Sequence, residues 1–264
     1  MKIISIINMK GGCAKTVSSI SIAHILAAKH GARVLLVDMD KQGNTSKFFG
    51  LYGYEAASIA DVLTQKGYDA AAAVQETAYE RLHVIPANMR LLLANRDILL
   101  DVSRPQQTRL KRALDALGGA YDYCIIDCAP DINMGTINAL VASDAVLVPI
   151  SIDKFDFDGI GELIDQVDDL TEFNPALHIA GCFITMYRRD GVNAGGLAWL
   201  RENAPIPVFD TVIRATVRVS ETTYTGVPIA AHAPKSTAAM DYVALVDELL
   251  LGVYGGGRGA KGTV

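Results

Sequence analysis

Asn8-Met9-Lys10-Gly11-Gly12-Cys13-Ala14-Lys15-Thr16 is the stretch that decides how this chain is read. An apolar, β-branched run, Ile3-Ile4-Ser5-Ile6-Ile7, precedes it, and a small-residue segment from Ser18 to Ala28 with helical apolar spacing follows it. A strand, a glycine turn and a helix in that order make a phosphate site. The first N–H groups of a helix have no intrahelical partner, and its dipole favours an anion there. In such a turn the lysine reaches the β- and γ-phosphates and the next hydroxyl ligates Mg²⁺, which gives these tasks to Lys15 and Thr16. The common pattern G-x-x-x-x-G-K-[ST] fails at both glycines, because Met9 and Ala14 stand there. By itself the stretch is also compatible with an ordinary glycine turn between a strand and a helix.

Working outward, the 264 residues suffice for one large α/β domain with a substantial core, and half of them are hydrophobic, which excludes a disordered chain. No apolar run approaches the roughly 20 residues that span a bilayer, and the N-terminus enters a strand directly, so neither a membrane span nor a signal peptide is expected. Cys13, Cys124, Cys128 and Cys182 lack zinc or disulfide spacing and read as reduced, buried thiols of a cytoplasmic protein. A net charge of −5 argues against a uniformly basic DNA-coating protein but leaves room for a local basic patch.

Strand-like and helix-like segments alternate along the chain, the signature of a doubly wound, mostly parallel sheet with helices on both faces. The run Arg33-Val34-Leu35-Leu36-Val37 ends in Asp38-Met39-Asp40-Lys41-Gln42-Gly43-Asn44, at the carboxyl end of a strand, where such sheets bind ligands. Two aspartates there either serve a metal-bound water or cap a turn. A third strand, Tyr123-Cys124-Ile125-Ile126, ends in Asp127, the Walker B arrangement of a buried carboxylate that serves Mg²⁺. His83 lies in the strand-like run Leu82–Ala87 with no chemical partner in sight and reads as structural. Met89 to Val102 and Gln106 to Leu117 have helical spacing, and the alanine-rich patch Tyr68–Val74 reads as helix surface. The acidic face opposite Ile160, Leu163, Ile164 and Val167 reads as solvated surface.

Four ordered boxes, covering Lys2 to about Leu251, resemble the ParA/MinD group of ATPases. Lys10–Thr16 resembles the deviant Walker A box K-G-G-x-G-K-[ST], departing from it at Ala14. Asp38–Asn44 resembles D-x-D-P-Q-G-N, with Lys41 for proline. Tyr121–Pro130 resembles Y-D-x-I-I-I-D-C-P-P, with Ala129 for the first proline, and Thr211–Glu221 resembles T-x-I-P-R-x-V-R-x-S-E-A. The resemblance implies a P-loop ATPase that partitions a plasmid, chromosome or mobile element. ATP or ADP would bind Lys10, Gly11, Gly12, Cys13, Ala14, Lys15, Thr16 and Val17, with Mg²⁺ near Thr16, Asp38 and Asp127. Lys10 of each protomer would reach the other's phosphates in an ATP-dependent homodimer, and Asp40 would position the attacking water. Arg188, Arg189, Arg214, Arg218 and Lys235 would form a strip for nonspecific double-stranded DNA, with Arg214 and Arg218 on one face if that piece is helical. A ParB-like protein would stimulate hydrolysis, and the protein would sit on the nucleoid in the cytoplasm.

Residues 1–252 are expected to form one domain and 253–264 a flexible glycine-rich tail. That tail lacks the amphipathic face of a MinD-type membrane helix. A second function class stays open: a nucleotide-dependent switch or scaffold that scarcely hydrolyses ATP because of Ala14. An amidoligase-type enzyme on the same fold is a third, and it would need a substrate pocket that the sequence does not reveal.

Overall fold

The computed structural model describes residues 1–152 and 158–254. The elements run β1 (Lys2–Ile6), α1 (Lys15–His30), β2 (Val34–Met39), α2 (Asn44–Phe48), α3 (Ile59–Thr64), β3 (Gln75–Glu76), β4 (Leu82–Ile85), α4 (Arg90–Leu100), α5 (Arg109–Ala116), β5 (Tyr123–Cys128) and α6 (Met134–Ala142). Then come β6 (Ala145–Ser151), α7 (Asp158–Leu170), β7 (His178–Thr185), α8 (Gly191–Asn203), α9 (Val217–Thr225), α10 (Ile229–His232) and α11 (Thr237–Tyr254). They build one seven-stranded sheet in the order β3-β4-β2-β5-β1-β6-β7, parallel except for the short β3 at the edge.

The central strands are apolar on both faces because successive side chains point to opposite sides of the sheet. Leu35, Val37 and Met39 of β2 join Cys124 and Ile126 of β5 in one core layer, beneath α3 to α7. Val34 and Leu36 join Ile125 in the other layer, against α1 and α11. Helix α1 ends where Gly31 turns left-handed at φ 65 and its N–H bonds the Leu26 carbonyl, with Lys29 and His30 in the last turn facing the negative end of the dipole. All strands that carry candidate residues therefore deliver their carboxyl ends to one edge of the sheet, beside the start of α1.

The structure changes several local expectations. β2 runs through Met39, so Asp38, expected at the carboxyl end of the strand, lies inside it and is fully buried, and only Asp40 falls in the turn. The alanine-rich patch is a 3₁₀ turn at Ala70–Ala73, and Ala70 and Ala73 pack into the core where a helix surface was expected. Arg214 does not share a helix face with Arg218: α9 starts at Val217, and Arg214 sits in a bridge to Tyr187 before it. His83, for which the sequence showed no partner, has its Nδ1 2.9 Å from the Tyr121 hydroxyl. The glycine-rich tail lies outside the described residues.

Candidate functional site

The loop from Asn8 to Ala14 leaves β1 under tight control. Buried Asn8 donates its side-chain amide to the Pro149 carbonyl (2.8 Å) and accepts the Lys10 N–H (2.9 Å), which fixes the first bend. Gly12 then adopts φ 81, and Ala14 adopts φ 64 and ψ 29, a left-handed backbone at the N-cap of α1. That conformation is the one glycine takes freely and a Cβ disfavours by about 1 kcal/mol or more. The loop has therefore kept the geometry of a glycine position while carrying alanine there. No side chain caps α1, and no acidic residue occupies its first turn, so neither a side-chain acceptor nor a carboxylate competes for the helix N-terminus. A Cβ built at Gly11 or Gly12 would meet no atom within 4 Å, so the loop's concavity is open. These features fit a phosphate group.

Lys15 is buried, and its ammonium donates to the Lys10 carbonyl at 2.7 Å and lies 3.8 Å from the Cys13 sulfur. Thr185, at the end of β7, donates its hydroxyl to the Cys13 carbonyl at 3.1 Å and so ties the loop to the far strand of the sheet. Val17, one position past Thr16, is half-buried against the α1–α11 core layer.

Behind the loop, the β2–β5 register places Asp38 beside Asp127. Both are buried almost completely. Asp127 accepts hydrogen bonds from Ser19 at Oδ1 (3.2 Å) and from Thr45 at Oδ2 (2.8 Å), and the Thr16 hydroxyl lies near it. Asp38 accepts the Ser46 N–H (2.9 Å) and hydroxyl (2.7 Å) on Oδ2 and the Asp40 N–H (3.1 Å) on Oδ1. Burial pushes both carboxyls above the ordinary range. The neighbouring Asp127 charge raises Asp38 further, and the three hydroxyls oppose the rise at Asp127. Among the described residues there is no cluster of three or more His, Cys, Asp or Glu that could hold a metal by themselves. One or two carboxylates and a hydroxyl, completed by substrate phosphates, is the donor set that Mg²⁺ takes in phosphoryl-transfer sites. Thr16 and Asp127 fit it; Asp38 stands one strand away with its oxygens committed to α2 and the next turn.

Asp40 begins the loop between β2 and α2. Its Oδ1 accepts the Gln42 N–H and its carbonyl accepts the Gly43 N–H, closing a tight turn. Gly43 is left-handed at φ 62, and a Cβ there would strike the Tyr52 ring at 2.5 Å. Lys41, where the box has proline, forms a 3.9 Å ion pair with Asp131, which links this loop to the one after β5.

Sequence reasoning missed Ser19, Thr45 and Ser46, whose hydroxyls hold the two carboxylates; an isolated serine or threonine carries no signal of this. It also missed a cavity of about 400 Å³ beside Ala14, lined by Thr185, Met186, Arg188, Arg214 and Tyr242 among others. Tyr242 is tied to α1 through a 3.0 Å hydrogen bond with Ser18.

The basic residues are dispersed in kind. Arg214 is locked on Asp241 of α11, with an Nη2–Oδ1 distance of 2.6 Å and its own N–H donated to Oδ2. Arg218 pairs with Glu221 at 2.9 Å, and Glu221 also meets His232 at 3.0 Å. Arg188, Arg189 and Lys235 are exposed. No helix among the described residues is long and apolar enough to cross a membrane.

A family model described as an AAA domain matches residues 1–179. The sporulation initiation inhibitor protein Soj of Bacillus subtilis is 36% identical over 94% of this chain and 98% of its own length. The chromosome partitioning protein ParA of Caulobacter vibrioides is 35% identical over 95% of this chain and 94% of its own. The crystal structure of a cobyrinic acid a,c-diamide synthase from Mycobacterium smegmatis with bound ADP and magnesium superposes with a TM-score of 0.84 at 29% identity, covering 97% of each chain. A left-handed loop at the start of α1, a hydroxyl-bound aspartate at the end of β5 and full-length similarity to Soj and ParA lead to one assignment. The chain belongs to the ParA/Soj/MinD family of P-loop ATPases.

Proposed function

We propose that this protein is a partitioning ATPase that hydrolyses ATP slowly, dimerises with ATP and holds DNA without sequence preference. The observation that carries the reading is a buried Asp127 held by the Ser19 and Thr45 hydroxyls near Thr16, immediately behind an uncapped helix N-terminus. Bound Mg²⁺ supplies charge neutralisation at the β- and γ-phosphates. The N–H groups from Gly11 to Val17 bind the phosphates, and Lys15, turning from the Lys10 carbonyl, balances their charge. Asp127 orients the Thr16 hydroxyl. Asp40, held by its turn, orients water for in-line attack, and Lys10 serves the second protomer. Catalysis of this kind is positioning and electrostatics more than covalent chemistry.

Arg188, Arg189, Arg218 and Lys235 supply the exposed part of the DNA strip, and Arg214 supports it from its pair with Asp241. A ParB-like protein is the expected stimulator, by analogy with the relatives named for chromosome partitioning. The nucleotide-switch reading has its own support in the left-handed Ala14, a Cβ at the tightest point of the loop.

Three variants test the roles. Lys15→Ala abolishes nucleotide binding. Lys10→Ala binds ATP yet fails to dimerise by light scattering. Asp40→Ala binds ATP and DNA without turnover. Normal dimerisation of the Lys10 variant, or normal turnover of the Asp40 variant, sinks the corresponding role.

A further inference from the structure

Ala14 holds a left-handed backbone without the glycine that makes it free, and such strain persists only where neighbouring contacts over-determine it. The two peptide units that flank Ala14 are both pinned. Ahead of it, the Cys13 carbonyl accepts the Thr185 hydroxyl at 3.1 Å. Behind it, the Ala14 carbonyl accepts the Ser18 N–H at 2.9 Å, the first bond of α1. A peptide unit is rigid and planar, so fixing the plane on each side of a residue fixes its φ and ψ. Together the two bonds hold φ at 64 and ψ at 29.

Thr185 is a firm point to hold from. It is buried in β7 beside Ser151 of β6, and it shares its one hydroxyl proton between the Cys13 carbonyl and the Ile150 carbonyl at 3.2 Å. Its β-branched side chain has few rotamers open to it. In a trans peptide unit the N–H points opposite to the carbonyl. With the Cys13 carbonyl turned inward to Thr185, the Ala14 N–H therefore faces away from β7. Met186, next in the chain, is left-handed as well, at φ 53, and Ala14, Thr185 and Met186 line the same cavity. Strain gathered at one place in this way marks a site where geometry is held for a purpose.

We propose, resting on the reading of this loop as the phosphate site, that Thr185 is a positioning residue for nucleotide binding. Its hydroxyl holds Ala14 in the left-handed conformation that presents the Ala14 N–H to the phosphate, and so does the work of the missing glycine. Without the hydroxyl, the peptide unit between Cys13 and Ala14 is released, alanine relaxes toward negative φ, and nucleotide binding has to restore the strained form. With glycine at position 14 the left-handed form carries no Cβ penalty, and the hydroxyl matters less.

A double-mutant cycle on the full chain tests it, with Thr185→Val, Ala14→Gly and the pair measured by calorimetric titration with ADP and Mg²⁺ and by urea unfolding. Thr185→Val is expected to weaken ADP binding about tenfold in the wild-type background and no more than about twofold in the Ala14→Gly background. The urea midpoint couples in the opposite sense. Losing the hydroxyl releases strain in the free protein, so Thr185→Val lowers the midpoint less in the wild-type background than in Ala14→Gly. A hydroxyl with a purely structural role gives equal losses in both backgrounds, and that result overturns the proposal. Thr185→Ser keeps the donor and should keep most of the affinity; a serine variant as weak as the valine one overturns it too. Where Thr185→Val loses the wild-type circular dichroism, Thr185→Ala takes its place in the cycle. A wild type that binds no ADP would refute the phosphate reading instead, and the urea cycle would still decide whether Thr185 holds residue 14.

Discussion

Replacing Ala14 with glycine isolates the most unusual feature of the loop. Ala14 sits at φ 64 and ψ 29, where an L-residue is disfavoured by roughly 1–2 kcal/mol. Glycine removes that cost but brings a larger loss of chain entropy on folding, roughly 0.5–1 kcal/mol. The strain relieved divides between two measurable quantities. Whatever part the folded loop bears before nucleotide binds appears as folding stability, reduced by the glycine entropy. The remainder appears as nucleotide affinity, for which about 1.4 kcal/mol is tenfold. Urea unfolding and calorimetric titration with ADP and Mg²⁺ on both forms measure the two parts. The expected result is an affinity several-fold tighter in Ala14→Gly, or a fold more stable by up to about 1 kcal/mol, the two gains together not exceeding the strain. A glycine variant that gains neither refutes the assignment of strain to this residue. Ala14→Val is the converse control, since a β-branched residue tolerates the left-handed region still less.

Three further outcomes follow from the geometry. Arg218→Glu with Arg188→Glu should weaken DNA binding on any sequence and reduce its salt dependence, whereas Arg214→Ala should chiefly destabilise the fold, by about 1–3 kcal/mol, because it leaves Asp241 only the backbone N–H of residue 214 and removes the guanidinium; filter binding across a salt series and urea melts distinguish the two. Thr45→Val removes one of the two hydroxyls bonded to Asp127 and should cost about 1–2 kcal/mol of stability and raise the Mg²⁺ concentration needed for nucleotide binding; an unchanged Mg²⁺ requirement contradicts the coupling. Asp38 and Asp127 have raised pKa values, so the folded chain binds more protons than the unfolded chain between the ordinary carboxylate range near about 4 and their own titration. Without Mg²⁺, stability should therefore rise as pH falls from about 8 to about 5, and Asp38→Asn should flatten that rise; a wild-type urea midpoint that falls over the same interval contradicts the shifts.

Much of the site was legible because its signals are local. The P-loop needs a strand, a turn and a helix within some 30 residues, and the left-handed requirement at position 14 follows from the loop's shape whichever residue fills it. Asp127 was legible as the polar end of an apolar strand. What escaped depends on contacts between distant segments. Nothing in the sequence near Thr45 or Ser46 says that α2 will clamp two carboxylates, and the Arg214–Asp241 pair spans 27 residues. Asp38 was legible as a polar residue at the carboxyl end of a strand, but not its complete burial, which hydrogen bonds from Ser46 and Asp40 make tolerable. The helical spacing of α4 was visible, yet only the packing of Leu91, Ala94 and Ile98 reveals that another apolar stripe is left outside.

The rate of ATP hydrolysis with and without duplex DNA tests the central claim most directly. A partitioning ATPase built on this site turns over ATP slowly and faster when DNA is present, and the stimulation fades as salt screens the arginine contacts. Tight ATP binding with no turnover under either condition would contradict it.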